Sequence, residues 1–381
     1  METKLFIVRS LIFLLCLVAS IPLRFLNRKS RVPKLLVVIQ MAKLGDMVCT
    51  TPIFRAIKKE NPVISLTVLG NSINKEVLSG NKDVDKYIVF SDLFGTYRRL
   101  REGNFDTAIL VEPDFVSAAL AYLTGIPKII VPKIVGGYSP FESTYYRILR
   151  KISRMTVVQY EMGKYAPREY LRILEPLGIF SYDTAKHLFY SIKSDEKVKN
   201  FLHSNDIKEG DVVIGVSPSS GNKIKAWGEV KFAELIVRLY KTYRTRIIVI
   251  GGLRDREEVE KTLSLIPKYV PVINVLEKFS IDELKALISK LNLFVAVDTG
   301  PIYIAEAFGV PTVDIVGPMD EREQPPIGKI HAVVMPPFPR EPALHVMNAK
   351  GYDHEEARRQ ADSITVGMVF RACEKVISRA A

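Results

Sequence analysis

The sequence predicts an α/β protein with two doubly wound domains, each built on a mostly parallel sheet with helices on both faces. Three observations support this prediction. Short β-branched runs alternate with helical patterns from residue 34 onward, and the same alternation restarts after residue 210. The chain has 381 residues, of which 48% are hydrophobic and 25% charged, so it can bury about two domain cores.

The first series of strands is read from five short runs of branched aliphatic residues. They lie at residues 35–39, 64–69, 86–90, 107–111 and 128–131. Residues 145–156 then carry apolar side chains at 145, 148, 149 and 152 and basic ones at 147, 150, 151 and 154, which predicts an amphipathic helix. Its basic face indicates either a solvated surface or a surface that meets anionic lipid or a phosphorylated acceptor.

The second series follows a polar stretch at residues 193–210, and we place the linker between the domains near residues 185–200. Its strand runs lie at 212–218, 246–252, 272–276, 293–301 and 311–318. A proline-rich loop then precedes a closing helix at about 366–378 and is a candidate for ligand contact. The predicted organisation is a leader at 1–32, domains at 33–192 and 193–362, and a C-terminal helical segment at 363–381.

The leader is apolar and basic. Residues 1–34 hold seven basic residues against Glu2, half of the formal net charge of +12 for the whole chain. Residues 10–23 are uncharged but number only 14, whereas a membrane span needs about 20. Three interpretations stay open: a membrane anchor or interfacial helix, an amphipathic helix packed on the protein, or a cleaved signal. The basic residues after the apolar run favour a catalytic body on the cytoplasmic side.

Neither cysteines nor histidines indicate a metal centre. Cys16, Cys49 and Cys373 show no paired spacing, and the five histidines are scattered, so we expect a reducing compartment and no structural metal. Asp83 and Asp85 have the Asp-x-Asp spacing of some metal sites. They precede a predicted strand instead of following one, which favours surface turn residues.

The motif KLGDMVCTTP, residues 43–52, places Asp46 where a strand turns into a helix. Ligands of open α/β sheets gather at this edge, and the small residue Gly45 would let a substrate approach the backbone. Asp46 is therefore a candidate general base. The alternative is a helix N-cap, which is the commoner role of an aspartate at a helix start.

A second motif, VAVDTGPIYIAEAFGVPTVDIVGP at residues 295–318, predicts a buried strand that ends at Asp298, a tight turn and a helix. Thr299, Gly300 and Pro301 then form a helix start whose unpaired N–H groups suit a diphosphate. The alternative is that Asp298 only caps the helix. The chain has a single Asp-Thr-Gly, so it lacks the carboxylate pair of an aspartic protease.

A third segment, GVSPSSGNKIKAWGEVKFAELIVRL at residues 215–239, offers further phosphate ligands. Ser219, Ser220 and Gly221 supply hydrogen-bond donors, and Lys225 supplies a positive charge. The alternative for Lys225 is a surface lysine in a polar loop, and Trp227 is better explained as a packing residue than as a ligand contact.

These segments together resemble glycosyltransferase family 9, the lipopolysaccharide heptosyltransferase family. The resemblance spans about residues 34–378 and also includes DSITVGMVFRACEKVI near the end. It implies a GT-B fold with two Rossmann-like lobes facing a central cleft, in which the C-terminal lobe holds a nucleotide-sugar donor and the N-terminal lobe an acceptor. It further implies inversion at the anomeric carbon without a metal.

The resemblance assigns roles residue by residue. Asp46 matches the family's base, and Lys43, Gly45 and Thr50 lie on the acceptor side of its motif. On the donor side, the matching or neighbouring residues are Ser219, Ser220, Lys225, Asp298, Thr299, Gly300 and Pro301. Tyr303 stands where the family often has histidine; a tyrosine hydroxyl can still donate to phosphate, but it cannot carry imidazolium charge.

We therefore expect an inverting, metal-independent glycosyltransferase that moves a heptose-like sugar from a nucleotide-diphosphate donor, with ADP-heptose as one candidate. The expected acceptor is a lipopolysaccharide core or another anionic glycolipid, reached at the cytoplasmic face of the inner membrane. We expect no cofactor and no nucleic-acid partner. A membrane-tethered nucleotide-sugar-binding protein without transferase activity is the alternative, whereas an NAD-linked oxidoreductase would need a complete glycine fingerprint that the chain lacks. The sugar, the base and the acceptor are left open.

Overall fold

The computed structural model describes residues 2–23 and 33–380. Residues 24–32 of the predicted leader, and Ala381, lie outside the described residues. The helices are α1 (Glu2–Leu23), α2 (Leu44–Glu60), α3 (Ser72–Val77), α4 (Leu93–Glu102), α5 (Phe115–Leu123), α6 (Thr144–Ile152), α7 (Ala166–Arg172), α8 (Ile192–Ser204), α9 (Glu229–Tyr243), α10 (Arg256–Ser264), α11 (Ile281–Ile288), α12 (Gly300–Ala307), α13 (His354–Ser363) and α14 (Val366–Ala380).

The strands are short and mostly buried. They are β1 (Leu35–Ile39), β2 (Ser65–Gly70), β3 (Lys86–Val89), β4 (Thr107–Leu110), β5 (Lys128–Val135), β6 (Thr156–Glu161), β7 (Val213–Ser217), β8 (Arg246–Val249), β9 (Val272–Asn274), β10 (Leu293–Val297), β11 (Thr312–Ile315) and β12 (His331–Val334). The chain divides into an N-terminal unit, residues 1–75 and 81–185, and a C-terminal unit, residues 76–80 and 186–381.

The N-terminal unit is a six-stranded sheet in the order β3-β2-β1-β4-β5-β6. All of its strand pairs are parallel. The chain starts in the middle of this sheet, winds outward to one edge and then returns to build the other half, as in a doubly wound fold. Branched aliphatic side chains of β1, β4 and β5 pack on α5 in the core of this unit.

The C-terminal unit repeats this plan. Its six strands take the order β12-β11-β10-β7-β8-β9, again all parallel. Its core joins β7, β8, β10 and β11 to α9 and to α14, the predicted closing helix. The prediction of two doubly wound α/β domains is confirmed.

Two predictions were wrong in detail, and one helix was not predicted. The amphipathic helix predicted for 145–156 ends at Ile152, since Arg154 has a left-handed φ of 51° and β-branched Thr156 opens strand β6. The polar stretch 193–210 contains helix α8, which Ser191 caps and which buries Val198. The loop after residue 318 contains a twelfth strand, β12.

The described part of the leader, residues 2–23, is a helix that packs on the N-terminal unit. α1 lies against α5 and α6. The hydroxyls of Ser10 and Tyr145 are hydrogen-bonded at 2.8 Å, the rings of Phe13 and Tyr145 lie 5.3 Å apart, and Cys16 is fully buried. Within residues 2–23 and 33–380, no helix combines the length and apolar character that crossing a membrane requires.

Candidate active site

The candidate residues of the N-terminal unit lie at the start of α2, at the carboxyl end of β1. The N-cap position of α2 is Lys43, which makes no side-chain capping bond, and Asp46 lies in the first turn. Asp46 is therefore not the N-cap. The turn before it is fixed by buried Gln40, whose side chain accepts from the Ala42 N–H at 3.1 Å and donates to Thr50 Oγ1 at 3.0 Å.

The three residues assigned to the acceptor side differ in exposure. Lys43 is exposed, whereas Gly45 and Thr50 are buried. The Thr50 hydroxyl donates to the backbone oxygen of Asp46 at 2.7 Å. Thr50 is thus placed to hold the helix start together.

A second carboxyl group lies beside Asp46 and escaped the sequence reasoning. The Val111 N–H donates to the Ile39 oxygen at 3.1 Å, so the ends of β4 and β1 are adjacent and Glu112 follows directly. Burial raises the pKa of Glu112 well above its ordinary value, and the charges of Asp46 and Asp114 add to that rise. The available signal was position: Glu112 is the first polar residue after the TAILV strand run.

The candidate residues of the C-terminal unit lie at the start of α12, after β10. The strand ends at Val297, Thr299 occupies the N-cap position without a side-chain capping bond, and Pro301 lies in the first turn. The first N–H groups of such a helix have no partner within the helix. Together with the positive end of the helix dipole, these N–H groups would suit an anion, and the anion site stays a prediction.

Asp298 does not cap this helix; its carboxylate is held by two side chains. Lys225 Nζ donates to Asp298 Oδ2 at 2.9 Å and also to the Asp298 backbone oxygen. The Tyr303 hydroxyl donates to Asp298 Oδ1. Lys225 is 73 residues from Asp298 in sequence, so the fold brings together the lysine and the turn that were singled out separately.

The serines of the third motif lie in the same unit, in the loop after β7. Ser219 and Ser220 are buried, and Ser220 Oγ accepts from the Asn222 N–H at 3.3 Å. β7 pairs with β10 in register, with Ser217 opposite Ala296, so this loop leaves the same edge of the sheet as Asp298. Trp227 is a packing residue as expected, since it is buried and its Nε1 donates to the Ile364 oxygen at 2.8 Å.

Two further charged groups near α12 were missed. Asp314 lies on β11 with 1% of its surface exposed, and burial together with the charge of Asp298 raises its pKa well above the ordinary value. Lys186 pairs with Glu306 of α12 at 2.6 Å, and its Nζ lies 5.8 Å from the centre of the Tyr303 ring. The signal for Asp314 was a lone charge within the apolar run TVDIV.

Beyond β11, the predicted ligand-contact loop carries a cluster of charged groups. The ligand atoms of Asp320, Glu323 and His345 lie within 4.8 Å of one another, a spacing that a metal ion could use. Arg322, however, donates to both carboxylate oxygens of Asp320, at 2.8 and 2.6 Å. Hydrogen bonds to Asp320 and Glu323 also raise the pKa of His345 to about 9. The carboxylates therefore already have cationic partners, and the cluster holds the loop together.

Each aspartate of the Asp-x-Asp spacing forms an ion pair. Asp83 accepts from Arg55 at 2.8 Å, and Asp85 accepts from Lys58 at 2.5 Å. Both aspartates lie in the turn before β3. The interpretation as surface turn residues is confirmed.

Comparison with known proteins agrees with this geometry. The model of glycosyltransferase family 9 (heptosyltransferase) matches residues 94–352. The chain is also 24% identical over 287 residues to lipopolysaccharide heptosyltransferase 3 of Escherichia coli, covering 72% of this chain and 81% of that protein.

Solved structures show the same fold. A glycosyl transferase of family 9 from Veillonella parvula superposes with a TM-score of 0.76 at 22% identity, covering 91% of this chain and 98% of that one. The E. coli heptosyltransferase WaaC, solved with ADP-2-deoxy-2-fluoro heptose, superposes with a TM-score of 0.61 at 16% identity, covering 91% and 100%.

Proposed function

Because the chain belongs to glycosyltransferase family 9, we propose that it transfers a heptose-like sugar from a nucleotide-diphosphate donor to a lipopolysaccharide core or another glycolipid, with inversion and without a metal. The observation that carries the proposal is the Lys225–Asp298–Tyr303 arrangement at the start of α12. It places a fixed ammonium group beside the first N–H groups of a helix, and this combination suits a diphosphate.

The proposed reaction is a single displacement. Asp46 accepts the proton of an acceptor hydroxyl while that oxygen attacks the anomeric carbon from the face opposite the diphosphate. The bond from the anomeric carbon to the phosphate oxygen breaks, and the nucleoside diphosphate leaves with the electron pair. Attack from the opposite face inverts the configuration, and the transition state has oxocarbenium character as in glycoside hydrolysis.

The donor side stabilises the leaving group. Negative charge grows on the diphosphate as the bond breaks, and Lys225 with the N–H groups at the start of α12 opposes that charge. Preorganised donors of this kind are worth about 3 to 4 kcal/mol each in the transition state. Asp298 holds the Lys225 ammonium in place before the donor arrives, so the group does not have to be ordered during the reaction.

We place the acceptor at a membrane surface and the protein on its cytoplasmic face as a peripheral protein. The support is the basic and apolar leader, together with the basic side chains of α4 and α6. The similarity to lipopolysaccharide heptosyltransferase 3 of Escherichia coli also supports a lipid-linked acceptor.

A donor screen tests the binding half of the proposal. Calorimetry across ADP-, UDP- and GDP-sugars should show saturable binding for one nucleotide class, and ADP-heptose is the first donor to test because WaaC was solved with an ADP-heptose analogue. Equal, weak responses to all three classes would contradict donor binding.

Transfer itself needs a second assay, with radiolabelled donor and a truncated lipopolysaccharide core as acceptor. We expect transfer to persist undiminished in EDTA and to be lost in Asp46→Asn. Donor binding without any transfer by the wild-type protein would favour the alternative, a nucleotide-sugar-binding protein that is not a transferase. Strict Mn²⁺ dependence would contradict the metal-independent mechanism.

A further inference from the structure

Helix α1 is apolar on two sides, and only one of them is covered by the N-terminal unit. The covered side includes Ser10, Phe13 and Cys16, which face α5 and α6 through the contacts given above. This side accounts for the position of the helix on the protein. It leaves the opposite side without a packing partner among the described residues.

Within residues 7–18, the opposite side carries large apolar side chains. They recur at helical spacing and are each between 40% and 66% exposed: Ile7, Val8, Leu11, Leu14, Leu15 and Val18. A helix on the surface of a water-soluble protein normally turns polar residues to solvent. Adjacent exposed apolar side chains that form one patch mark a binding surface.

Helix α6 continues this surface with an apolar residue and then with positive charge. Tyr145 of α6 contacts α1, and Ile148, three residues on, is 40% exposed. Arg147 and Lys151 come next around the helix, and both are exposed. Neither takes part in an ion pair within the part of the chain that the structure describes, so their charge is available to a partner.

We propose that the outer side of α1, together with Ile148, Arg147 and Lys151 of α6, inserts into the headgroup region of an anionic phospholipid bilayer. An apolar strip bordered by lysine and arginine matches acyl chains below anionic headgroups. The inference rests on the proposed function and deepens it, because it names the surface through which the protein meets the membrane that holds its acceptor.

The packing of α1 decides how the helix meets lipid. A spanning helix crosses the whole hydrocarbon core, whereas one side of α1 packs on the N-terminal unit through Ser10 and Phe13. α1 therefore lies along the surface. A second copy of the chain is a poorer occupant, because a symmetric contact through this surface would bring two rows of arginine and lysine close to each other.

The test is co-sedimentation of the full-length protein with vesicles that contain neither donor nor acceptor. One set is pure phosphatidylcholine, and the other has about one quarter phosphatidylglycerol. We expect at least about tenfold tighter binding to the anionic set at low salt, weakening as salt is raised. Arg147→Gln/Lys151→Gln should remove most of this preference while leaving weak apolar binding.

The outer side is tested with Leu11→Gln/Leu14→Gln/Val18→Gln, which should lower vesicle binding at least about tenfold. The matched control is Val63→Gln/Ile192→Gln/Val230→Gln, which changes three apolar residues that are 64% to 84% exposed at scattered positions and should bind as wild type. Thermal unfolding by circular dichroism and donor binding by calorimetry confirm that each variant is folded.

Two results would overturn the inference. One is unchanged vesicle binding in the folded α1 variant. The other is a wild-type dimer in light scattering that the α1 variant converts to monomer, with no vesicle binding by either. Neither result touches the proposed function, since transfer to a soluble acceptor is measured separately; loss of that transfer with intact vesicle binding would contradict the proposed function alone.

Discussion

The two units place their candidate residues at the same point of the same topology, but the carboxyl groups there have different neighbours. In a doubly wound sheet, the first and fourth strands of each unit are neighbours, and the crevice beyond their carboxyl ends is the usual binding site. In the N-terminal unit these strands are β1 and β4, followed by Asp46 and Glu112. In the C-terminal unit they are β7 and β10, followed by the Lys225 loop and Asp298.

The difference lies in how each carboxylate is compensated. Asp298 is bonded to Lys225 and Tyr303, so its charge is neutralised and the cation is fixed next to a helix start. Asp46 has another carboxyl group, Glu112, as its neighbour instead. A neighbouring acid favours proton uptake, whereas a fixed cation favours an anion. One topology thus carries the proposed base in one unit and the proposed phosphate site in the other.

The largest effect should come from Asp46→Asn. The amide has nearly the same shape but cannot accept the proton of an acceptor hydroxyl, so we expect kcat to fall by about three to four powers of ten. Donor affinity, which we assign to the C-terminal unit, should stay within about twofold. Single-turnover transfer and donor calorimetry measure the two quantities, and a variant that keeps most of its transfer rate would show that Asp46 is not the base.

Lys225→Met should have the next largest effect, because it removes the fixed cation. We expect kcat/KM to fall by about two to three powers of ten and donor binding to weaken with it. Lys223→Met is the matched control, since Lys223 lies in the same turn but is exposed and paired with Glu258. Equal losses in the two variants would mean that general charge, and not the position of Lys225, supports the donor.

Much of this arrangement was predictable because parallel strands leave a simple pattern. The β-branched runs gave ten of the strands, and the turns after them pointed to Asp46, Asp298 and Lys225. The doubly wound rule then placed these residues at sheet edges without any side-chain detail. The rule does not predict which side chains form hydrogen bonds with each other. Nothing in the sequence shows that Lys225 bonds to Asp298, 73 residues away, or that Tyr303 of α12 bonds to the same carboxylate.

The residues that were missed share a physical reason. Glu112 and Asp314 are carboxyl groups whose importance comes from burial and from a neighbouring carboxylate, and both depend on which strands are adjacent. β12 and the end of α6 were missed because local pattern is weak where tertiary packing decides the conformation. The leader could be described as apolar, but only the packing on α5 and α6 shows which side stays uncovered.

Tyr303→Phe removes one of the two side chains that hold Asp298. A hydrogen bond to a charged group is worth about 1.5 to 3 kcal/mol, so we expect about a tenfold loss in kcat/KM as the carboxylate and Lys225 become less well placed. Tyr303→His should recover part of this loss because imidazole can also donate. Measuring kcat/KM of both variants with one donor tests the effect. Equal values for Tyr303→Phe and the wild type would show that the hydroxyl does not contribute to the reaction.

Glu112→Gln changes the acidic neighbour of Asp46. At neutral pH it should have the smallest effect on turnover, a few-fold at most. Its clearer readout is stability, because the pKa of Glu112 is raised in the folded protein. Between the ordinary pKa of glutamate and this raised value, the unfolded chain has lost the proton that the folded chain keeps, so rising pH destabilises the wild type. Glutamine cannot ionise and avoids that loss. The melting temperature of the variant should therefore exceed that of the wild type by more at pH 8 than at pH 5. A difference that does not change with pH would show that Glu112 ionises normally. Asp46 would then have no protonated neighbour.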